Sequence, residues 1–302
     1  MNDRVPGLVS IGITVYNGET DLREALESLL AQDYENIEVV ILDNRSTDGT
    51  AEICREFAAL DRRVRYVVDE RRSDVVEGQK KVAAMARGEY FMIACDDDVY
   101  RPSYVRRMVE LLEADPGVGM AYSGLGFVYP DGSVRDVNLA PKYFRSRRQS
   151  ALANFAFYLL YRTPIPLMFG LVRADVHHEA LLSYEMVDNR GSDHDNLYML
   201  KLLSIARLSS TPEVLFFYRQ RDRATRAPFV IPDGALMRYA SRTLHQLHVS
   251  RAVAHIVAAA GFSRAQKLAM HLHNVAAFTY HVTLAHALAT RWYRRLRGES
   301  YT

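Results

Sequence analysis

Over the first 130 residues, apolar β-branched runs alternate with helical segments, and this alternation constrains the fold more than any other feature. The runs Val9–Tyr16, Ile37–Asn44, Val64–Asp69, Tyr90–Cys95 and Val118–Val128 predict strands. The segments Glu19–Ala31, Thr50–Leu60, Val75–Arg87 and Pro102–Ala114 predict helices; Leu22, Leu26, Leu29 and Leu30, for example, keep helical spacing. Such an order implies an α/β fold: a Rossmann-like, mostly parallel central sheet with helices on both faces and right-handed crossovers.

In an open parallel sheet, ligands bind beyond the carboxyl ends of the strands. Three strands here end in polar clusters, Tyr16-Asn17, Asp43-Asn44 and Asp96-Asp97-Asp98, which should converge on one crevice. Three adjacent carboxylates repel one another, and in isolation that repulsion raises their pKa values. A divalent cation removes the conflict. Mg²⁺ and Mn²⁺ prefer hard oxygen ligands, and Mg²⁺ takes one or two carboxylates together with substrate phosphates. The acidic run therefore suits a metal–diphosphate. The competing reading is a solvated acidic turn, since Arg101-Pro102-Ser103 opens a helix and acids favour that end.

From Tyr129-Pro130-Asp131-Gly132 onward the alternation stops. A basic loop (Lys142 to Arg148), an apolar stretch (Ala151–Tyr161) and Thr163-Pro164-Ile165-Pro166 follow, then a short apolar run, Met168–Val172. A last strand is predicted at Val214–Tyr218, ahead of the charged stretch Arg219–Arg226. Residues 233 to 296 read as two long helices parted near Gly261-Phe262-Ser263, with Ser263 as a cap. The division is thus 1–130, 131–232 and a C-terminal helical extension, 233–302.

A chain of 302 residues accommodates one large domain with an elaborated second half. A net charge of +2 argues against a nucleic-acid partner. Two cysteines, Cys54 and Cys95, each in apolar surroundings, point to a reducing, cytoplasmic compartment. The N-terminus lacks the pattern of a secretory signal, and no stretch has the length and apolarity of a transmembrane helix.

The blocks Val9–Asn17, Leu29-Leu30-Ala31-Gln32-Asp33-Tyr34, Ile41–Thr50, Ala86-Arg87-Gly88-Glu89-Tyr90 and Asp97-Asp98-Val99 resemble, in order and spacing, those of glycosyltransferase family 2, whose members have the GT-A fold. The resemblance implies an inverting, metal-dependent transferase with a DXD-like motif. Its donor would be a nucleoside-diphosphate sugar, a UDP-sugar for preference, and its acceptor a hydroxyl on a saccharide, lipid-linked glycan or natural product. It places Thr14, Tyr16 and Asn17 beside the nucleotide, with the Tyr16 ring stacking on the base and Asp43 accepting a base N–H. Asn44 borders the same donor site, although shaping the turn and capping the next helix, with Ser46 and Asp48, is the favoured role for it. Asp96 would lie near the ribose or sugar, Asp97 would bind Mg²⁺ or Mn²⁺, and Asp98 would touch the metal or the donor sugar.

Two positions depart from the family pattern. Cys95 stands where many relatives carry an acid, and Gln79-Lys80 replaces a frequent Arg-Asn pair, leaving Lys80 or Lys81 as a phosphate or base contact. In the second half, Gly191-Ser192-Asp193-His194-Asp195 resembles the acidic segment that supplies the catalytic base. Asp193 is assigned that role, with Asp195 as the alternative and capping of a helix at Asn196–Leu203 as the competing account. Phe169–Arg173 resembles a segment bordering the acceptor pocket, and Arg219, Arg221 and Arg223 lie where relatives close over the donor.

Seven of the ten histidines fall between His245 and His286, but none of their spacings suits a metal site. Arg291-Trp292-Tyr293-Arg294-Arg295-Leu296-Arg297 reads as a solvated helix end or a subunit contact in a homodimer, with an anionic membrane surface as the alternative. A nucleotidyltransferase would carry a Gly-rich, basic loop after the first strand, and Val15-Tyr16-Asn17-Gly18-Glu19 is not one. Nor is there the Gly-x-Gly-x-x-Gly of a dinucleotide dehydrogenase. A noncatalytic sugar-nucleotide-binding protein of the same fold is the remaining rival, and the retained carboxylates count against it.

Overall fold

The computed structural model describes residues 4–137, 168–181, 194–220, 250–272 and 274–275. Strands β1 (Val5–Val15), β2 (Ile37–Asp43), β3 (Val64–Val68) and β4 (Gly88–Ala94) alternate with helices α1 (Leu22–Leu30), α2 (Thr50–Leu60) and α3 (Val75–Met85). Then come β5 (Val99–Tyr100), α4 (Tyr104–Glu113), β6 (Val118–Val128), β7 (Val134–Val137), β8 (Leu171–Arg173), α5 (Ala174–Leu181), α6 (His194–Ile205) and β9 (Arg207–Arg219). One sheet runs β3-β2-β1-β4-β8-β6-β9-β5, with β7 beside β6. The first four strands are mutually parallel and β6 is parallel to β9; β8, β5 and β7 pair antiparallel with their neighbours.

Burial on both faces explains why β1, β2 and β4 read as unbroken apolar runs. Along β2, Val39 and Ile41 join the core formed with Leu26, Cys54 and Phe57 of α1 and α2, whereas Val40 and Leu42 meet Val82 of α3. Helix α3 starts where the Asp74 carboxylate accepts the Glu77 amide hydrogen at 2.8 Å. Helix α4 buries Tyr104, Val105, Met108, Val109, Leu111 and Leu112 along one stripe.

Elements of the second half are shorter, or longer, than their apolar runs suggest. Strand β8 spans three residues and fits between β4 and β6 because Gly170 precedes it; a Cβ there would lie 2.6 Å from the Ala121 carbonyl oxygen. Strand β9 starts at Arg207, well before the predicted Val214. Its pairing with β6 shifts register around Gly124, which lies against the carbonyls of Pro212 and Glu213, so a bulge absorbs the proline. Helices at 250–259 and 264–272 flank the predicted break. Ser263 caps the second, its Oγ accepting from the Gln266 amide at 3.3 Å while its own amide donates to Gln266 Oε1 at 2.8 Å. Ala252, Val253, Ile256, Val257 and Met270 join the main core. Among the described residues, no helix is long and apolar enough to cross a membrane.

Glu38 is a charge at the amino end of β2 that is only 2% exposed. Its carboxylate accepts from Ser10 Oγ (2.6 Å), the Arg87 amide (2.8 Å) and Arg87 Nε (2.9 Å). Burial pushes its pKa up, but these bonds outweigh burial and hold it below the ordinary value of 4.5. A depressed carboxyl contributes stability that is present above the unfolded pKa and lost as pH falls through the folded one. Glu38→Gln is therefore expected to lower stability at neutral pH by about 1–3 kcal/mol and to flatten its decline between roughly pH 5 and pH 3. Thermal melts across that range check this, and an unchanged acid slope would refute it.

Candidate active site

Strand register brings the polar clusters together. Val15 pairs with Asp43 across β1 and β2, and Ile13 pairs with Ala94 across β1 and β4. Tyr16, Asp43 and Asp96 therefore leave the sheet at the same edge, as the carboxyl-end rule requires.

The turn after β1 is built by side chains. Asn17 sits at φ 52, its amide donates to Ser46 Oγ at 3.0 Å, and its Oδ1 accepts from the Thr47 amide at 2.8 Å. Asp48 Oδ1 accepts from the Thr50 hydroxyl (2.6 Å) and amide (3.1 Å), holding the start of α2. Asn44 clamps the loop before α3: its Nδ2 donates to the Ser73 carbonyl and its Oδ1 accepts from the Ser73 amide, both at 2.7 Å. Ser46 and Asp48 thus shape the turn and hold the start of α2 as expected, Asn17 joins them in the turn, and Asn44 instead ties the turn to the loop before α3.

Asp43 is 1% exposed and accepts from the Ser46 amide and the Tyr66 hydroxyl, each at 2.8 Å. Each carboxylate oxygen has a second lone pair, so these bonds leave capacity for a further donor. Burial, then the bond to Asp43, pushes the Tyr66 phenol well up, so it stays a donor. Tyr16 is 41% exposed, and the Arg72 guanidinium stacks on its ring at 4.1 Å from the centroid. The ring face is thus covered by a cation.

Helix α3 runs past this edge. Gly78 lies against Thr14, where an added Cβ would be 3.2 Å from Thr14 Cγ2. Lys80 is half-buried on the same helix. Lys81 is committed elsewhere: its ammonium binds Asp69 (2.8 Å), Ser73 Oγ (2.7 Å) and Glu77 (3.2 Å).

The acidic run forms the turn between β4 and β5. Asp96 packs on Gly18, where a Cβ would lie 2.5 Å from Asp96 Oδ2. Asp96 and Asp97 are half-buried, whereas Asp98 is 0% exposed. Asp98 Oδ1 accepts from the Arg219 amide at 3.0 Å, and Oδ2 is buried without a hydrogen-bond partner. Burial, reinforced by the Asp97 charge, pushes the Asp98 carboxyl up to about 8. Cys95 Sγ and carboxylate oxygens of Asp97 and Asp98 all lie within 4.8 Å of one another. Burial and the three aspartates push the Cys95 thiol up; unlike the fully buried Cys54, it is half-buried. A locus this negative, with an unsatisfied carboxylate oxygen, must keep a proton or take a cation.

Arg219 is not a loop residue free to meet phosphate. It ends β9, donates from Nε to the Asp97 carbonyl at 2.7 Å, and pairs with Glu24 and Asp21 beside α1. Sequence reading missed this strap and the Arg72–Tyr16 stack. Arg173, in the segment compared with an acceptor-pocket border, holds the Leu112 and Val118 carbonyls at 2.7 and 3.0 Å. Asp195 is half-buried in the first turn of α6. Asp193, Arg221, Arg223 and the Arg291–Arg297 segment lie outside the described residues.

The family model described as Glycosyl transferase family 2 matches residues 10–176. Among curated relatives, the chain is 32% identical over 119 residues to glycosyltransferase GlyG of Streptococcus pneumoniae, covering 38% of this chain and 40% of that protein. It is 23% identical over 224 residues to an uncharacterized glycosyltransferase of Haemophilus influenzae, covering 72% and 67%. The chain thus spans less than half the length of GlyG. Among solved structures, S. aureus TarS 1-349 in complex with UDP-GlcNAc superposes with a TM-score of 0.64 at 15% identity, over 89% of this chain and 71% of that one. The mannosyltransferase PcManGT of Pyrobaculum calidifontis, in complex with GDP-Man and Mn²⁺, gives 0.55 at 17% identity over 92% and 73%. The likeness to both is one of GT-A fold. On the family match and the site's architecture together, the chain belongs to glycosyltransferase family 2.

Proposed function

We propose that this protein transfers a glycosyl group from a nucleoside-diphosphate sugar, a UDP-sugar for preference, to a hydroxyl acceptor with inversion, assisted by Mg²⁺ or Mn²⁺. The observation that carries the reading is the unsatisfied, buried Asp98 oxygen beside Asp97, at the same sheet edge as the stacking face of Tyr16 and the acceptor Asp43. Two carboxylates of this kind fit a hard divalent cation, with Asp97 and Asp98 as its ligands. When bound, such an ion supplies Lewis-acid neutralisation of the charge growing on the departing diphosphate. Nucleotide-sugar complexes of TarS and PcManGT support the donor class.

The residues divide the work. Tyr16 stacks on the base once Arg72 yields that face, and Asp43 accepts the base N–H. Thr14, Asn17, Asn44 and Lys80 line the donor's approach, with Asp96 toward the ribose. Asp193 takes the acceptor hydroxyl proton as that oxygen attacks the anomeric carbon and the bond to the diphosphate breaks; Asp195 is the alternative base. Residues 131–232 supply the acceptor side.

Calorimetric titration of UDP- and GDP-sugars with and without Mn²⁺ tests the proposal. Donor binding should require the ion, and acceptor should release nucleoside diphosphate. Release of the sugar 1-phosphate in place of nucleoside diphosphate would indicate nucleotidyl transfer, and metal-independent binding without turnover would indicate a noncatalytic sugar-nucleotide-binding protein.

A further inference from the structure

Cys95 introduces a soft donor into an otherwise hard cluster. Its sulfur and carboxylate oxygens of Asp97 and Asp98 lie within 4.8 Å of one another. Bonds of about 2.3 Å to sulfur and about 2.1 Å to oxygen place two ligand atoms at most about 4.4 Å apart across one ion. The spread is close to what one ion spans, so the three donors share a single ion once their side chains close up around it. Asp98 independently points to a ligand here, because it is fully buried with Oδ2 unsatisfied.

Two carboxylates alone favour Mg²⁺ or Mn²⁺, whereas a thiolate alongside them favours borderline ions such as Zn²⁺ and Co²⁺. We infer that Cys95 is a third protein ligand of the divalent-cation site, so that the site binds Zn²⁺ and Co²⁺ in preference to Mg²⁺ through a mixed sulfur–carboxylate set. The inference rests on Asp97 and Asp98 being the cation site. The Cys95 S–H bond gives way to a sulfur–metal bond and the proton passes to solvent; no electron is transferred. Because Asp98 is fixed by the Arg219 amide and Arg219 also binds the Asp97 carbonyl, the carboxylate side of the set is held ready for the ion.

Titration of the metal-free protein with Co²⁺, followed by near-ultraviolet absorbance, reads the sulfur directly. The wild type should develop a sulfur-to-cobalt charge-transfer band saturating at one ion per chain. Cys54→Ala should keep the band, and Cys95→Ser should lose it. In Cys95→Ser the affinities for Co²⁺ and Zn²⁺ should fall about tenfold or more, while that for Mg²⁺ changes less than about twofold. Co²⁺ bound without the band, or a band surviving in Cys95→Ser, would overturn sulfur ligation. If Asp97→Ala still removed Mn²⁺ binding in that event, the carboxylate site would stand. Absence of any divalent-ion binding would overturn both.

Discussion

Asp97→Ala is expected to abolish metal-dependent donor binding, weakening it about 100-fold or more while leaving the fold intact. The side chain is half-buried, and its removal takes away the charge that helps push the Asp98 carboxyl up rather than a packing element. The melting temperature should therefore stay level or rise. Calorimetry with a UDP-sugar and Mn²⁺, paired with a thermal melt, separates the two effects. Undiminished binding in Asp97→Ala would remove the metal assignment and with it the proposed chemistry.

Asp193→Asn should show the opposite division. Donor and metal should bind as in the wild type, and turnover should fall about 100- to 10,000-fold, the range for losing a general base. Asn keeps the shape and hydrogen-bonding reach of Asp but cannot take the proton. Asp195→Asn is the comparator, since Asp195 occupies the first turn of α6, where an acid is equally at home as a partner for the helix end. Wild-type turnover in Asp193→Asn together with loss in Asp195→Asn would move the base to Asp195.

The first half of the fold was legible because its strands are buried on both faces, so that Val9–Val15, Ile37–Leu42 and Tyr90–Ala94 stand out as apolar runs whose polar ends mark the crevice. Asp43 and Asp96 could be placed from register logic alone. The remainder depends on tertiary contacts that no local pattern carries. Strand β8 is too short to announce itself, and β9 is interrupted in sequence by Pro212, which a bulge accommodates in space. Arg72 reads as one charge among several of both signs in Asp69–Asp74, yet it covers the Tyr16 ring. Asp98 reads as a secondary candidate beside Asp97, and only the structure reveals it as the fully buried member of the three.

Arg219 sets the smallest portable unit of this site. The aspartates of the turn lie within the stretch matched by the family, residues 10–176, but the arginine that grips the Asp97 carbonyl and the Asp98 carboxylate comes 121 residues after Asp98. A chain cut after Val176 keeps every acid of the turn and loses the clasp that orders them. Moving this acidic turn into another chain therefore means carrying the sequence through the end of β9, and exchange of second halves within the family has to conserve that grip or replace it.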